Sequence, residues 1–170
     1  FSYGDYLRTG AIAKFSPIMK EVVKKGKDGM PIIGICNGFQ ILIETGLLPG
    51  ALITNKKVKF LSQNVNLEVE NNSTRFTSLF DKKQILSMPI AHGMGNYIAN
   101  DALINQLEDN NQIAFRYSNN NPNGSTSSIA GIFNKERNIL GMMPHPERAA
   151  ENILGSIDGL GIFKSIVKSN

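Results

Sequence analysis

The segment Pro31-Ile32-Ile33-Gly34-Ile35-Cys36-Asn37-Gly38-Phe39-Gln40 decides the fold class of this chain. Its apolar first half is typical of a strand that is covered on both faces, and its second half begins a helix. The only cysteine, Cys36, therefore lies at a sharp turn between strand and helix. Such a corner pushes the thiol out of the sheet, and a helix N-terminus favours the thiolate. Gly34 and Gly38 leave room for the turn and for the approach of a substrate.

The elements on either side of this turn predict a single domain over residues 1–170. Ser16-Pro17 marks a helix start that Gly26 ends, and residues 39–44 predict a second helix. The alternating positions Val65, Leu67 and Val69 indicate a half-buried strand. Further strands are predicted at residues 85–91, 112–117, 128–133 and 139–142. A closing amphipathic helix is expected at residues 159–167, with Leu160, Phe163 and Val167 on its inner face. This order predicts a three-layer α/β domain with a mixed central sheet, and it leaves the strand order open.

The bulk composition is that of one globular domain with a core. The chain has 170 residues, 41% of them hydrophobic, and a net charge of +4. The short lysine clusters at 24–27 and 56–59 are typical of a solvated face and do not indicate nucleic-acid binding; docking of an acidic partner is the weaker interpretation. A single cysteine gives no support to an oxidising compartment. No apolar run is long enough to span a membrane and no secretion signal is apparent, which favours the cytoplasm.

A thiolate nucleophile needs a base, and the chain has two histidines. His145 lies between two prolines, which confine its backbone. Glu147 follows two residues later and, in an extended segment, lies on the same side. It could hold one imidazole nitrogen and leave the other facing the thiol. For these residues alone, a capping or surface His-Pro turn with a solvated glutamate is the better interpretation, just as a lone cysteine is usually a small buried hydrophobe.

His92 is the competing base. It lies in Ala91-His92-Gly93-Met94-Gly95, where a strand enters a glycine turn, and no carboxylate is near it in the sequence. We therefore interpret His92 as a structural residue or one that lines the site, and we prefer His145.

Several motifs together resemble the class I glutamine amidotransferases, and most closely the PurQ family, the glutaminase subunits of phosphoribosylformylglycinamidine synthase. The resemblance runs through the whole chain in the same order. The motifs that carry it are Phe1-Ser2-Tyr3-Gly4-Asp5-Tyr6-Leu7-Arg8, residues 34–40, Ala91-His92-Gly93 and Met142-Met143-Pro144-His145-Pro146-Glu147-Arg148.

The resemblance implies a flavodoxin-like three-layer fold and a Cys-His-Glu triad. Cys36 would attack the side-chain amide of glutamine and form a thioester, with release of ammonia. His145 would take the thiol proton, and Glu147 would orient His145. The backbone N–H of Asn37 would be an oxyanion donor.

The rest of the pocket follows from the same resemblance. Gln40 would bind the amino-acid end of glutamine, and backbone groups around Gly93 and Met94 would line the pocket. Met94 stands where relatives usually carry a glutamate. In the family, a βα portion precedes the Phe1 motif, so we expect an N-terminal βα portion to be missing and the 170-residue chain by itself to fold poorly or to be inactive.

The family also implies partners. The large synthetase subunit PurL binds ATP, Mg²⁺ and formylglycinamide ribonucleotide, and a small subunit, PurS, commonly bridges the two. We accordingly expect no cofactor in this chain and glutamine as its small-molecule substrate.

Two alternatives stay open at this point. One is another cysteine hydrolase of related fold, such as a γ-glutamyl hydrolase or a DJ-1/PfpI-like protein, which would give no reason for Gln40 or for the Phe1 motif. The other is a non-catalytic interaction subunit that has lost its chemistry by truncation.

Overall fold

The computed structural model describes residues 12–168, so the Phe1 motif lies outside the described residues. The helices are α1 (Pro17–Lys27), α2 (Asn37–Glu44), α3 (Asp101–Asp109) and α4 (Leu160–Lys168). The strands are β1 (Ile32–Ile35), β2 (Ala51–Ile53), β3 (Leu61–Val69), β4 (Ile85–His92), β5 (Asn96–Ile98), β6 (Ile113–Tyr117), β7 (Ile129–Phe133) and β8 (Ile139–Met142). Short 3-10 turns are Thr126–Ser128, Pro146–Ala149 and Asn152–Leu154.

Six of these strands form one mixed sheet in the order β1-β8-β7-β6-β3-β4. The β1–β8 pair is parallel, and every other pair of neighbours in this sheet is antiparallel. Strands β2 and β5 form a separate antiparallel pair. The mixed central sheet expected from the sequence is thereby confirmed, and the parallel pair brings the carboxyl ends of β1 and β8 side by side.

Two apolar layers cover the two faces of the sheet. On one face, Leu67, Met88 and Leu140 pack with Phe76, Phe80 and Ile162, the last of these from α4. On the other face, Ile113, Ile132 and Ile139 pack with residues of α2, with Tyr97 from β5 and with Leu107 from α3. The three-layer architecture is therefore confirmed.

The first two helices form where the sequence predicts them. The Ser16 hydroxyl accepts a hydrogen bond from the Met19 N–H at 3.4 Å, and Pro17 occupies the first helical position, as in a capped N-terminus. Helix α2 follows β1 after a single residue and buries Phe39, Gln40, Ile41 and Leu42. Its start is consequently fixed against the sheet.

The predicted inner face of α4 is wrong. Val167 is 74% exposed, and Ile162 and Ser165 are the buried residues of the helix. A serine can take a buried position here because its hydroxyl donates to the Gly161 carbonyl at 2.7 Å and accepts from the Leu79 N–H at 3.1 Å. The apolar residues of this helix are compatible with two different buried faces. The face that is buried in the structure includes the polar Ser165, so the apolar pattern alone favours the other face.

Helix α3 and the β2–β5 pair were not predicted from the sequence. The signal for α3 is its cap: the Asn100 side chain accepts a hydrogen bond from the Leu103 N–H at 2.9 Å. Strands β2 and β5 have three residues each, too few to show a period. Within residues 12–168, no helix is both long and apolar enough to cross a bilayer.

Candidate active site

Cys36 occupies a strained turn between β1 and α2. Its backbone has φ 51° and ψ −105°, a region that residues with a side chain rarely adopt. The Cys36 N–H donates to the Met142 carbonyl at 2.8 Å, which extends the β1–β8 pairing by one residue. Such conformations cost on the order of 1–3 kcal/mol and persist where the surroundings impose them. The sharp turn predicted at the cysteine is confirmed.

Gly34 lets α2 lie close enough to β1 for this turn to form. A Cβ at Gly34 would overlap the Leu42 side chain and lie 2.7 Å from the Gly38 carbonyl oxygen. Gly38 differs, because a Cβ there would meet no atom of the described residues within 4 Å. The room for the turn that the sequence predicted at both glycines is therefore needed at Gly34, and Cys36 itself carries the positive φ.

The Cys36 thiol and the His145 backbone are both hydrogen-bonded to the same strand, β4. The thiol is 3.7 Å from the Ala91 carbonyl oxygen, to which it donates, and the His145 N–H donates to the Pro89 carbonyl at 2.9 Å. Carbonyls two residues apart on a strand point the same way and lie roughly 7 Å apart. β1 and β4 are at opposite ends of the strand order, yet the thiol that follows β1 reaches a carbonyl near the end of β4, so the sheet is curled.

The imidazole of His145 is held by Glu147. Its Nδ1 lies 2.6 Å from Glu147 Oε1, while Nε2 is buried without a hydrogen-bond partner within residues 12–168. The contact predicted from the spacing is present, but the extended segment predicted for it is wrong. Glu147 lies in the 3-10 turn Pro146–Ala149, since the fixed φ of a proline also suits the first position of a helical turn.

The Glu147 carboxylate is charged at neutral pH. Burial raises its pKa, but the hydrogen bond and the charge of His145 outweigh burial, with Arg148 adding to them, so that the pKa of Glu147 is lowered. An ionised carboxylate only accepts hydrogen bonds, so Nδ1 of His145 carries a proton. In the neutral imidazole, Nε2 is then the unprotonated nitrogen, which is the form a general base requires.

Three more of the predicted site residues form a hydrogen-bonded row beside the cysteine. The Asn37 amide donates to Gln40 Oε1 at 3.0 Å, and the Gln40 amide donates to the Met94 carbonyl at 3.1 Å. Gln40 is 3% exposed. Gly93 and Met94 directly follow β4, the strand whose Ala91 carbonyl accepts from the Cys36 thiol. The structure thus gathers the predicted residues around the ends of β1, β4 and β8.

His92 is fully buried beside these residues and is bonded to Asn55. Its Nδ1 lies 3.1 Å from Asn55 Oδ1. The Asn55 amide nitrogen donates to the Lys59 and His92 carbonyls, each at 2.8 Å, so Oδ1 is the acceptor and His92 donates from Nδ1. This contact agrees with a structural interpretation of His92. Asn55 was not predicted, because an asparagine beside a lysine cluster gives no sign of burial.

Among the described residues, no group of three or more histidine, cysteine, aspartate or glutamate side chains is placed to hold a metal ion. The groups that the described residues bring together at the site include a thiol, an imidazole–carboxylate pair and the side-chain amides of Asn37 and Gln40.

Comparison with known proteins places this arrangement in a family. Residues 1–159 match the model of the CobB/CobQ-like glutamine amidotransferase domain. A chain in the structure of PurLQS from Thermotoga maritima is 47% identical, with a TM-score of 0.89 over 99% of this chain and 76% of that chain.

Two more distant structures share the fold. A glutamine amidotransferase from Thermotoga maritima is 18% identical, with a TM-score of 0.51 over 78% of this chain and 46% of that chain. The glutaminase domain of CTPS from Trypanosoma brucei, solved with bound acivicin, is 14% identical, with a TM-score of 0.52 over 82% and 61%. At these identities the likeness concerns the fold alone. The family match and the 47% identity go further, and both agree with the motifs: the chain belongs to the CobB/CobQ-like glutamine amidotransferases, as its resemblance to PurQ predicted.

Proposed function

We propose that this chain is the glutaminase subunit of a phosphoribosylformylglycinamidine synthase, which releases ammonia from glutamine for the ATP-dependent amidation of formylglycinamide ribonucleotide. The 47% identity to a chain of PurLQS supports this assignment. The observation that supports this chemistry is the position of His145. Its Nδ1 is bonded to Glu147, and its buried Nε2 has no hydrogen-bond partner within residues 12–168. The His145 backbone and the Cys36 thiol both donate hydrogen bonds to carbonyls of strand β4.

The first half of the reaction forms a thioester. His145 Nε2 takes the proton of the Cys36 thiol, and the thiolate attacks the side-chain amide carbon of glutamine. The backbone N–H of Asn37, at the start of α2, stabilises the oxyanion of the tetrahedral intermediate. The imidazolium then gives its proton to the leaving nitrogen, the C–N bond breaks, and ammonia departs. The negative charge of Glu147 stabilises the imidazolium in between.

The second half restores the enzyme. His145, again neutral, takes a proton from a water molecule that attacks the thioester carbonyl. The C–S bond breaks, glutamate is released, and the proton returns to the Cys36 sulfur. Each turnover thus converts glutamine and water to glutamate and ammonia.

Substrate recognition is assigned to the row beside the cysteine. Gln40 is buried and fixed at both ends, by Asn37 and by the Met94 carbonyl. A side chain held in this way is suited to bind the amino-acid end of glutamine. Backbone groups of Gly93 and Met94 form the facing wall.

We further propose that the chain works in a complex. The similarity to a chain of PurLQS supports a large synthetase partner, PurL, and a small subunit, PurS. ATP and Mg²⁺ are assigned to the synthetase partner, where the ammonia is used.

Labelling with the glutamine analogue 6-diazo-5-oxo-L-norleucine tests the proposal. The full-length protein, together with its synthetase partner, is treated with the analogue, and the adduct is mapped by mass spectrometry. We expect one adduct, on Cys36, and none in Cys36→Ser. An adduct elsewhere, or no adduct with the partner present, contradicts the mechanism. Ammonia release from free glutamine that the partner stimulates supports an amidotransferase, whereas hydrolysis of γ-glutamyl peptides alone supports a γ-glutamyl hydrolase.

A further inference from the structure

We propose that Asn55, which lies outside the triad, is a positioning residue of the glutamine pocket. The proposal rests on the proposed function, because it assigns Gln40 and the Gly93–Met94 backbone to that pocket. Asn55 is 2% exposed and follows the short strand β2. Its role can be read from the number and direction of its hydrogen bonds.

Asn55 bonds the main chain on both sides of Met94. Its own N–H donates to the Gly93 carbonyl at 2.8 Å, and its side-chain Oδ1 accepts from the Gly95 N–H at 2.9 Å. The same amide donates to the His92 carbonyl at 2.8 Å. One asparagine therefore fixes the peptides immediately before and after Met94, and the direction of the Met94 carbonyl follows from them.

The Met94 carbonyl is the group that Gln40 contacts. Gln40 Nε2 donates to it at 3.1 Å, and Gln40 lies one helical turn after Cys36. A chain of direct contacts thus runs from Asn55 through residues 93–95 to Gln40 and the turn that bears the nucleophile. A tilt of the Met94 peptide would turn the Gln40 amide away from its present position.

The His92–Gly95 turn is also held by a second segment of the chain, so Asn55 is not its only anchor. The Gly95 carbonyl accepts from Asn123 Nδ2 at 2.7 Å and from the Ser125 hydroxyl at 3.3 Å. A Cβ at Gly95 would overlap the His92 imidazole, which Asn55 also holds. Glycine is consequently required at this position for the turn to lie against the ring.

The discriminating experiment compares Asn55→Ala with Asn138→Ala in the full-length protein with its synthetase partner. Asn138 is a matched control, because it is also buried, at 6% exposure, and also donates to two carbonyls, those of Gly26 and Met30. It precedes β8, at the end of that strand away from His145. Four quantities are measured: Tm, KM and kcat for glutamine, the rate of inactivation by 6-diazo-5-oxo-L-norleucine, and the rate of Cys36 alkylation by iodoacetamide.

We expect both variants to lose thermal stability, and Asn55→Ala alone to raise KM and slow the diazo analogue by about 10- to 100-fold, as misplaced substrate-positioning groups do. Its kcat and its alkylation by iodoacetamide, which needs no amino-acid pocket, should change by no more than about twofold. If the alanine variant is insoluble, Asn55→Ser should show the same split. A parallel fall of both labelling rates, or the same profile in the Asn138 variant, overturns the proposal. Absence of labelling in the unsubstituted protein refutes the proposed function instead.

Discussion

Replacing Glu147 by glutamine tests the part of the mechanism that the geometry specifies most closely. The substitution keeps the size of the side chain and an oxygen that can accept from His145 Nδ1, now 2.6 Å from the carboxylate. What is lost is the negative charge, which stabilises the imidazolium that forms when the thiol is deprotonated. The amide can also turn its NH₂ group toward the ring and favour the wrong tautomer.

The expected loss can be estimated from the exposure of the pair. A hydrogen bond to a charged group contributes about 1.5–3 kcal/mol. The Glu147 side chain is 44% exposed, so water screens part of its charge, and we take about 1–2 kcal/mol, which corresponds to a fall in kcat/KM of about 5- to 30-fold. A buried triad carboxylate loses about 10⁴-fold on the equivalent change. Exposure is the reason for expecting less here.

The assay is ammonia release from glutamine by the full-length protein with its synthetase partner. Glu147→Ala, which also removes the contact that orients the ring, should lose more than Glu147→Gln. Glu151→Gln is the control, because Glu151 is an exposed carboxylate four residues further along and should leave kcat/KM unchanged. If Glu147→Ala keeps its kcat/KM within about twofold of the unsubstituted protein, Glu147 does not act through His145 and the reasoning is refuted.

Other predictions concern the turn and the effect of pH. Gly34→Ala should cost about 1–3 kcal/mol of stability, as overpacking does, and lower Tm, because its Cβ would press on the Gly38 carbonyl at 2.7 Å. Gly38→Ala, whose Cβ meets no described atom within 4 Å and which replaces a glycine inside a helix, should keep or raise Tm. Equal losses in thermal denaturation would show that the close approach at Gly34 is not limiting. Because His145 lowers the pKa of Glu147 in the folded state, their contact stabilises the fold above the ordinary value of 4.5, and this contribution is lost as the pH falls through the lower folded value. Urea unfolding at a series of pH values should therefore show the free energies of unfolding of the unsubstituted protein and Glu147→Gln converging in acid, and a gap that stays constant down to the most acid pH would contradict this assignment.

The sequence predicts the Cys36 turn and the His145–Glu147 contact because both depend on residues that are close together in the chain. An apolar strand, one residue, and a helix place Cys36 at a corner whatever the rest of the chain does. The i, i+2 spacing correctly predicts that His145 and Glu147 touch, although the turn between them is 3-10 and not extended. Proline at position 146 is compatible with both conformations, so the sequence could not choose between them.

The contributions of β4 and of Asn55 to the site could not be predicted, since they depend on tertiary contacts. That Ala91 and Pro89 would hold the cysteine and the histidine follows from the curl of the sheet, which no spacing records. Asn55 is 2% exposed beside a run of lysines, where the local pattern indicates a solvated face. The periodicity of α4 predicted the wrong inner face for a related reason. A hydroxyl that finds hydrogen-bond partners within the fold, as that of Ser165 does, can replace an apolar side chain at a buried position.

The attachment of the thiol and the imidazole to one strand has a consequence for the order of events during synthesis. Cys36 donates to a residue 55 positions further on, and its proposed base is translated later still. Such long loops close late in folding. On a ribosome-bound chain that has not yet reached His145, the Cys36 thiol therefore lacks its proposed base. Under the proposed mechanism, glutamine hydrolysis therefore begins only after the contacts with β4 and the turn that bears His145 have formed.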